Sequence, residues 1–337
     1  MAGGDALDNL PPEARAKPRK AKPPEWVAPM LATLTEERFS RKGWLFESRI
    51  GGHDVKITRP EKVLFPEDGI TKGDLVRYYQ RISRWMLPHL EGRPLALERF
   101  PDGIDQPGFF QKAAAPYYPA WVRKVSVKKV GGTVKHVVCD DTATLVYLVN
   151  QACITPHIWL SRVDKKQYPD QMIFDLDPST EDIAPVIDAA RLLKSMLDEL
   201  ELPAFLKATG SRGLHVAVPL RRKQDFDSVR AFARGVAERI IARDPERYTL
   251  EQYKKNRRGR VFIDVNRNAY AQTAAAVYAV RARKGAPVSA PLQWNELRKG
   301  FRPDGITIQT VFERLEQIED PWKDFWRRAT SLDKANR

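Results

Sequence analysis

Residues 171–177, QMIFDLD, constrain this chain more than any other stretch. An apolar run ending in aspartates at i and i+2 reads as a buried strand with a polar end. Alternate side chains of a strand share a face, so Asp175 and Asp177 project together while Leu176 points away. At ~3.3 Å rise per residue their Cα atoms lie about 6–7 Å apart. Carboxylates that close repel unless a cation joins them, and Mg²⁺ or Mn²⁺ takes oxygen ligands of this kind. The competing reading is a cap for the next helix. Asp264 favours the cation. It lies in a second short apolar strand, VFIDV (261–265), where an unpaired carboxylate is costly. Three acids from two strands can hold two metals about 3.5–4 Å apart, the arrangement used in nucleotidyl transfer.

The surroundings of these strands are mixed α/β. Residues 1–24, rich in Pro, Ala and charge, predict a disordered basic tail. Globular composition runs from Trp26 to about Trp326. After TKGD at 71–74, Leu75, Tyr78, Tyr79, Ile82, Trp85 and Met86 recur at helical spacing. Residues 95–113 read as a strand end followed by an ordered Gly/Pro loop, and 142–152 as a helix. Ser179 and Asp182 predict a capping box for a helix with Ile183, Val186, Ile187, Ala190, Leu193, Leu197 and Leu200 on one face. Strands are expected at 203–208 and 214–220, flanking the turn TGSRG, then an amphipathic helix from Phe226 to Ile240. A further strand is expected near 306–311.

Lys and Arg number 57 against 43 Asp and Glu, a net charge of +14, which asks for a polyanionic partner. No stretch is long and apolar enough for a membrane span or a signal peptide, and no basic amphipathic helix stands out, so a soluble, cytoplasmic, nucleoid-associated chain without a membrane role is expected. Two cysteines, Cys139 and Cys153, exclude a disulfide framework and a four-cysteine zinc site.

Other constellations carry weaker signals. The turn Thr209-Gly210-Ser211-Arg212-Gly213 allows close backbone approach and offers a hydroxyl and a guanidinium to phosphate oxygens, though Gly-Ser turns are common. His215 and His157 lie in apolar strands and read equally as site or structural histidines. Arg281 and Arg283 alternate in VRARK, either as two forks on one face or as a solvated edge. Phe109-Phe110 would stack on unpaired bases or anchor its loop. Lys62 and Lys72 flank a turn, where spacing alone favours surface lysines over a phosphate clamp.

Taken together, VKITRPEKVLFPEDGITKGDLVRYY, LERFPDGIDQPGFFQK, VVCDDTATLVYLVNQACITPHIWLSR, FDLDPS, TGSRGLHV and FIDVNRNAYAQT resemble the polymerase domain of bacterial ligase D, of the archaeo-eukaryotic primase superfamily. The resemblance runs from about residue 51 to about residue 330. It implies an α+β primase-polymerase core with an RRM-like centre and two facing mixed or antiparallel sheets flanked by helices. It also implies metal-dependent nucleotide addition to a primer, with two ions, Mn²⁺ favoured over Mg²⁺, and ribonucleotides often preferred to deoxyribonucleotides. Asp175, Asp177 and Asp264 match the metal carboxylates. Thr209, Ser211, Arg212, Arg281, Arg283 and His157 match nucleotide contacts. Lys62 and Lys72 match the pair that recognises a downstream 5′-phosphate, and Phe109 and Phe110 the aromatics that stack on template bases. The partners then expected are gapped or broken DNA, with Ku and a separate DNA ligase as candidates, and the chain itself is expected to be a monomer.

Residues 25–50 resemble the start of an ATP-dependent ligase adenylation domain, WVAPMLATL followed by RKGWLFE. Arg49 stands where that family has its nucleophilic lysine, and an always-protonated guanidinium cannot replace it. A vestige without ligation activity is expected, and no phosphoesterase domain. Two rival readings remain. Asp175-Leu176-Asp177-Pro178-Ser179 fits the opening motif of haloacid-dehalogenase-type phosphatases, but Asp140-Asp141 precede it, the wrong order for that family's later acidic pair. A non-catalytic scaffold at DNA ends is the other.

Overall fold

The structure, a computed structural model, describes residues 45–129 and 131–334. The expected tail, and the ligase-like segment up to residue 44, lie outside the described residues. β1 (Leu45–Ile50) pairs antiparallel with β2 (His53–Thr58) around Gly51-Gly52, so the expected boundary after residue 50 falls at the turn of a hairpin. Arg49 stands opposite Asp54 on this hairpin and is exposed.

A second hairpin, β3 (Val63–Phe65) and β4 (Ile70–Thr71), leads into α1 (Lys72–Leu90). Thr71 and Asp74 start this helix reciprocally: Thr71 Oγ1 accepts from Asp74 N at 3.2 Å, and Asp74 Oδ2 from Thr71 N at 2.8 Å. Next come β5 (Leu95–Arg99), β6 (Phe109–Gln111), the hairpin β7 (Lys124–Lys129) with β8 (Gly132–Val137), α2 (Thr142–Asn150) and β9 (Cys153–Trp159).

The centre of the chain is a βαββαβ unit: β10 (Gln171–Asp177), α3 (Ala184–Glu199), β11 (Phe205–Ala208), β12 (Leu214–Pro219), α4 (Phe226–Arg243) and β14 (Val261–Asp264). Its strands lie in the order β14-β10-β12-β11, all antiparallel, which is the RRM-like arrangement. β13 (Tyr248–Thr249) and β16 (Pro291–Leu292) extend it to six strands. A four-stranded sheet runs in the order β15-β9-β5-β6, with β15 at Thr273–Ala275. The last α-helix among the described residues is α5 (Val311–Gln317).

Strand alternation sorts the six-stranded sheet between two cores. Phe174, Leu176, Leu206, Leu214 and Val216 pack with Val186, Leu193, Ala233 and Ile240 of α3 and α4. Ile173, Phe205 and Ala217, on the other face, join a core with Ile154, Ile158 and Ala274 of the four-stranded sheet. The two principal sheets thus share a core, and the α+β expectation holds.

Two local expectations fail. No capping box forms at Ser179–Asp182. Ser179 Oγ donates to Arg260 O at 2.5 Å instead, Asp182 Oδ1 takes Ala184 N at 2.9 Å, and Pro185 in the first turn sets the helix start. No strand forms at 306–311 either. Thr307 makes a single bridge to Pro287, and its N–H turns back to Thr310 Oγ1 at 3.0 Å as the chain enters α5. Among the described residues no helix is long and apolar enough to cross a membrane.

Candidate active site

Four strands contribute one charged row. Asp264 of β14 faces Asp175 of β10, Asp175 faces His215 of β12, and His215 faces Lys207 of β11. Cross-strand partners share a face, so all four side chains project to the side away from the helices, and Asp177 follows two residues on. His215 Nε2 lies 3.3 Å from Asp175 Oδ1. Arg267 Nε donates to Asp175 Oδ2 at 3.2 Å and lies 3.9 Å from Asp264 Oδ2. Arg267 is placed by Asn268, whose side chain accepts from Ile173 N at 2.8 Å and donates to Ile173 O at 2.7 Å, pinning the turn after β14 to β10.

The acids are electrostatically unequal. Burial opposes ionisation of Asp175, but His215 and Arg267 outweigh it and hold its carboxyl well below the usual range. Burial pushes Asp177 up to about 7, helped by the negative Asp175 and Asp264. Burial raises Asp264 as well. Burial lowers His215, whose Nε2 faces Asp175 while its Nδ1 is buried with no partner among the described residues.

The turn after β11 needs its glycines. Gly210 has φ +64°, and a Cβ there would lie 2.8 Å from Val288 C. A Cβ on Gly213 would lie 2.2 Å from Leu176 O, so the turn touches the carboxylate strand directly. Thr209 Oγ1 donates to Gly213 O at 2.9 Å, and Arg281 Nη1 to Thr209 O at 2.9 Å. Arg281 Nε is buried with no hydrogen-bond partner among the described residues. Arg212 folds back, donating to Thr180 O at 2.9 Å. On the four-stranded sheet, His157 Nε2 lies 3.3 Å from Glu98 Oε2, and its ring meets Phe110 edge-on with centroids 5.1 Å apart.

These parts enclose a cleft of about 140 Å³. His157, Asp175, Asp177, Thr209, Ser211, Arg212 and Arg281 all line it, as do His215, Arg267 and β15. Asp264 sits beside it, beneath Arg267. Arg283 does not line it. Its N–H bonds back to Arg281 O at 2.8 Å, so the chain turns here, the two arginines do not alternate on a strand, and Arg283 is exposed. Phe109 and Phe110 lie on edge strand β6 rather than in a loop, 47% and 54% exposed, with Arg99 stacked 5.4 Å from the Phe109 ring centre. Sequence reasoning missed Arg267, Lys207 and Glu98. A lysine inside the apolar run FLKA was the one available signal for Lys207.

The β3–β4 hairpin brings the two lysines together. Lys72 N donates to Lys62 O at 2.8 Å. Lys62 Nζ pairs with Asp102 Oδ1 at 2.9 Å. Lys72 is buried, its Nζ donating to Thr58 Oγ1 at 3.1 Å and Asn150 O at 3.4 Å. Burial, with Arg59 nearby, lowers it to about 8. The hairpin is tied to the turn after Arg281 by Gly285 N donating to Asp68 Oδ2 at 2.8 Å and by the Lys284–Glu67 ion pair.

Among the described residues, no three Asp, Glu, His or Cys side chains stand close enough together to hold a metal ion as they are. The donor set nonetheless suits a hard cation in kind. All three aspartates share a face, and Asp177 and Asp264 resist ionisation because of burial and Asp175. A positive charge among them relieves this, and Arg267 is the side chain that now lies there.

An RRM-like sheet carrying acids on adjacent strands, faced by a glycine turn and the half-buried Arg281, fits a primase-polymerase, a class of DNA-directed nucleotidyltransferase. The family model described as "LigD, primase-polymerase domain" matches residues 71–322. The chain belongs to this family, which removes the phosphatase reading. It is 30% identical over 275 residues to the bifunctional non-homologous end joining protein LigD of Bacillus subtilis, covering 81% of this chain and 44% of that protein. It is 32% identical over 293 residues to the multifunctional LigD of Pseudomonas aeruginosa, covering 86% of this chain and 35% of that protein. The chain thus spans less than half of these relatives. Among solved structures, the polymerase domain of Mycobacterium tuberculosis ligase D in complex with DNA superposes with a TM-score of 0.77 at 30% identity, covering 82% of this chain and 99% of that one.

Proposed function

We propose that this chain adds nucleotides to primer ends at DNA gaps and breaks during end joining or excision repair. The observation that carries this reading is the convergence of Asp175, Asp177, Ser211, His157 and Arg281 on one cleft. At about 140 Å³ the cleft is smaller than the roughly 300 Å³ that encloses a whole small ligand, so it suits a phosphate portion with the rest left outside. Arg281 Nε, buried and without a partner among the described residues, supplies a donor for a phosphate oxygen. The Thr209 carbonyl holds that guanidinium in place.

Asp175, Asp177 and Asp264 would hold two divalent ions, with Mn²⁺ favoured over Mg²⁺. Bound there, such ions activate the primer hydroxyl and neutralise the leaving group. Arg267 balances the acids until then and must swing aside to admit a cation. Lys62 and Lys72 take the downstream 5′-phosphate, Lys62 by exchanging Asp102 for it. Phe109 and Phe110, half exposed at a sheet edge, stack on template bases. Preference for ribonucleotides and docking to Ku or a separate ligase belong to the same reading. The test is primer extension on gapped, 5′-phosphorylated DNA, comparing ribo- with deoxyribonucleotides and Mn²⁺ with Mg²⁺. Extension that needs a divalent ion is expected. DNA binding without extension under any condition would leave only the scaffold reading.

A further inference from the structure

Lys207 has no part in the chemistry above, yet it is a lysine buried beside the site. It is 2% exposed. Its neighbours Leu206 and Ala208 point into the core beneath the helices, so Lys207 points to the cleft side, beside His215. Its ammonium donates to Ala275 O at 2.8 Å. Ala275 belongs to β15 of the four-stranded sheet, stands opposite His157, and lines the cleft. The bond therefore runs from the carboxylate-bearing sheet to the sheet that carries His157. Burial and Arg281 draw its ammonium down to about 7 while Asp175 opposes them, so a polyanion arriving beside it would favour the charged form.

Burying an ammonium against a single carbonyl is expensive, and a methionine of similar length would pack there for less. We infer that Lys207 is a positioning residue for nucleotide addition: by tying Ala275 to β11 it sets the width of the cleft, and its charge adds to that of Arg281 in holding the incoming triphosphate. This rests on the polymerase reading.

The test uses the full chain with Lys207→Met, Lys207→Gln and Lys207→Arg, the glutamine keeping a donor without the charge. GTP binding is measured by calorimetry, DNA affinity by anisotropy, and KM and kcat by primer extension. Lys207→Met should bind GTP about tenfold more weakly and show the same rise in KM, with kcat and DNA affinity within about twofold; a tenfold loss is about 1.4 kcal/mol. Lys207→Gln should fall between, and Lys207→Arg should recover most of the affinity. Should Lys207→Met fail to fold, the Gln and Arg variants carry the same comparison. GTP affinity unchanged in the folded Met or Gln variant overturns the inference, as does a parallel loss of kcat and DNA affinity that arginine does not restore. Absence of GTP binding in the unsubstituted protein overturns the polymerase reading, and this inference with it.

Discussion

Lys72→Met should leave the fold no weaker at neutral pH while removing recognition of a 5′-phosphate. Lys72 is 4% exposed, and burial with Arg59 and Lys62 nearby draws its ammonium from 10.5 to about 8. Between those values the unfolded chain binds more protons than the folded one, so stability rises with pH across that window. Below about pH 8 the penalty of the buried charge is fully present. A shift of this size corresponds to about 3 kcal/mol. The ammonium is only partly enclosed by protein atoms, and solvent screening leaves about 1–2 kcal/mol. Methionine removes that penalty but also the bonds to Thr58 Oγ1 and Asn150 O, worth about 1 kcal/mol together at these lengths. The two nearly cancel at pH 7.5. The assay is urea unfolding of both proteins at pH 7.5 and 10. The unsubstituted chain should gain about 1–2 kcal/mol more than the variant between the two pH values. Equal gains, or a variant more than about 2 kcal/mol weaker at pH 7.5, would refute the reasoning. Retained preference for phosphorylated gaps in the folded variant would refute the assigned role.

The role proposed for this lysine predicts a phosphate preference that depends on pH. With a value of about 8, its charged fraction drops from about nine-tenths at pH 7 to about one-tenth at pH 9, so the ratio of affinities for phosphorylated and unphosphorylated gaps should fall across that range. A flat ratio would detach Lys72 from phosphate binding. Asp175→Ala should abolish primer extension with DNA affinity within about twofold; an active variant would remove Asp175 from the centre of the chemistry. Gly213→Ala should cost more than about 2 kcal/mol of stability, because its Cβ would lie 2.2 Å from a backbone oxygen, and calorimetry would show this as a lowered melting temperature.

Much of the site was legible because period-2 and period-3.6 patterns are local. QMIFDLD and VFIDV formed strands as read, and the face shared by Asp175 and Asp177 follows from alternation alone. That Asp264 lies beside Asp175, and that Lys207 ends the same row, depends on register between strands far apart in the chain, which no local pattern encodes. Arg267 was invisible for a related reason: a side chain from Asn268 fixes its turn against β10. Where local signals misled, tertiary contacts overrode them. VRARK alternates like a strand, but Arg283 N closes a turn onto Arg281 O. The glycines and prolines before Phe109 suggested a loop, yet β5 recruits the pair as an edge strand.

The ties between Asp68 and Gly285 N, and between Lys284 and Glu67, join the lysine-flanked hairpin to the turn that follows Arg281. With a DNA end held at one and a triphosphate at the other, as proposed, this part of the molecule works as a ruler. The span between the downstream end and the nucleotide being added is then set by the protein and not by the flexible strand, so gap length becomes something the enzyme measures. Gaps of one length would be filled to completion while longer ones stall until their downstream end comes within the span, and cutting the Asp68 tie would blur that graduation.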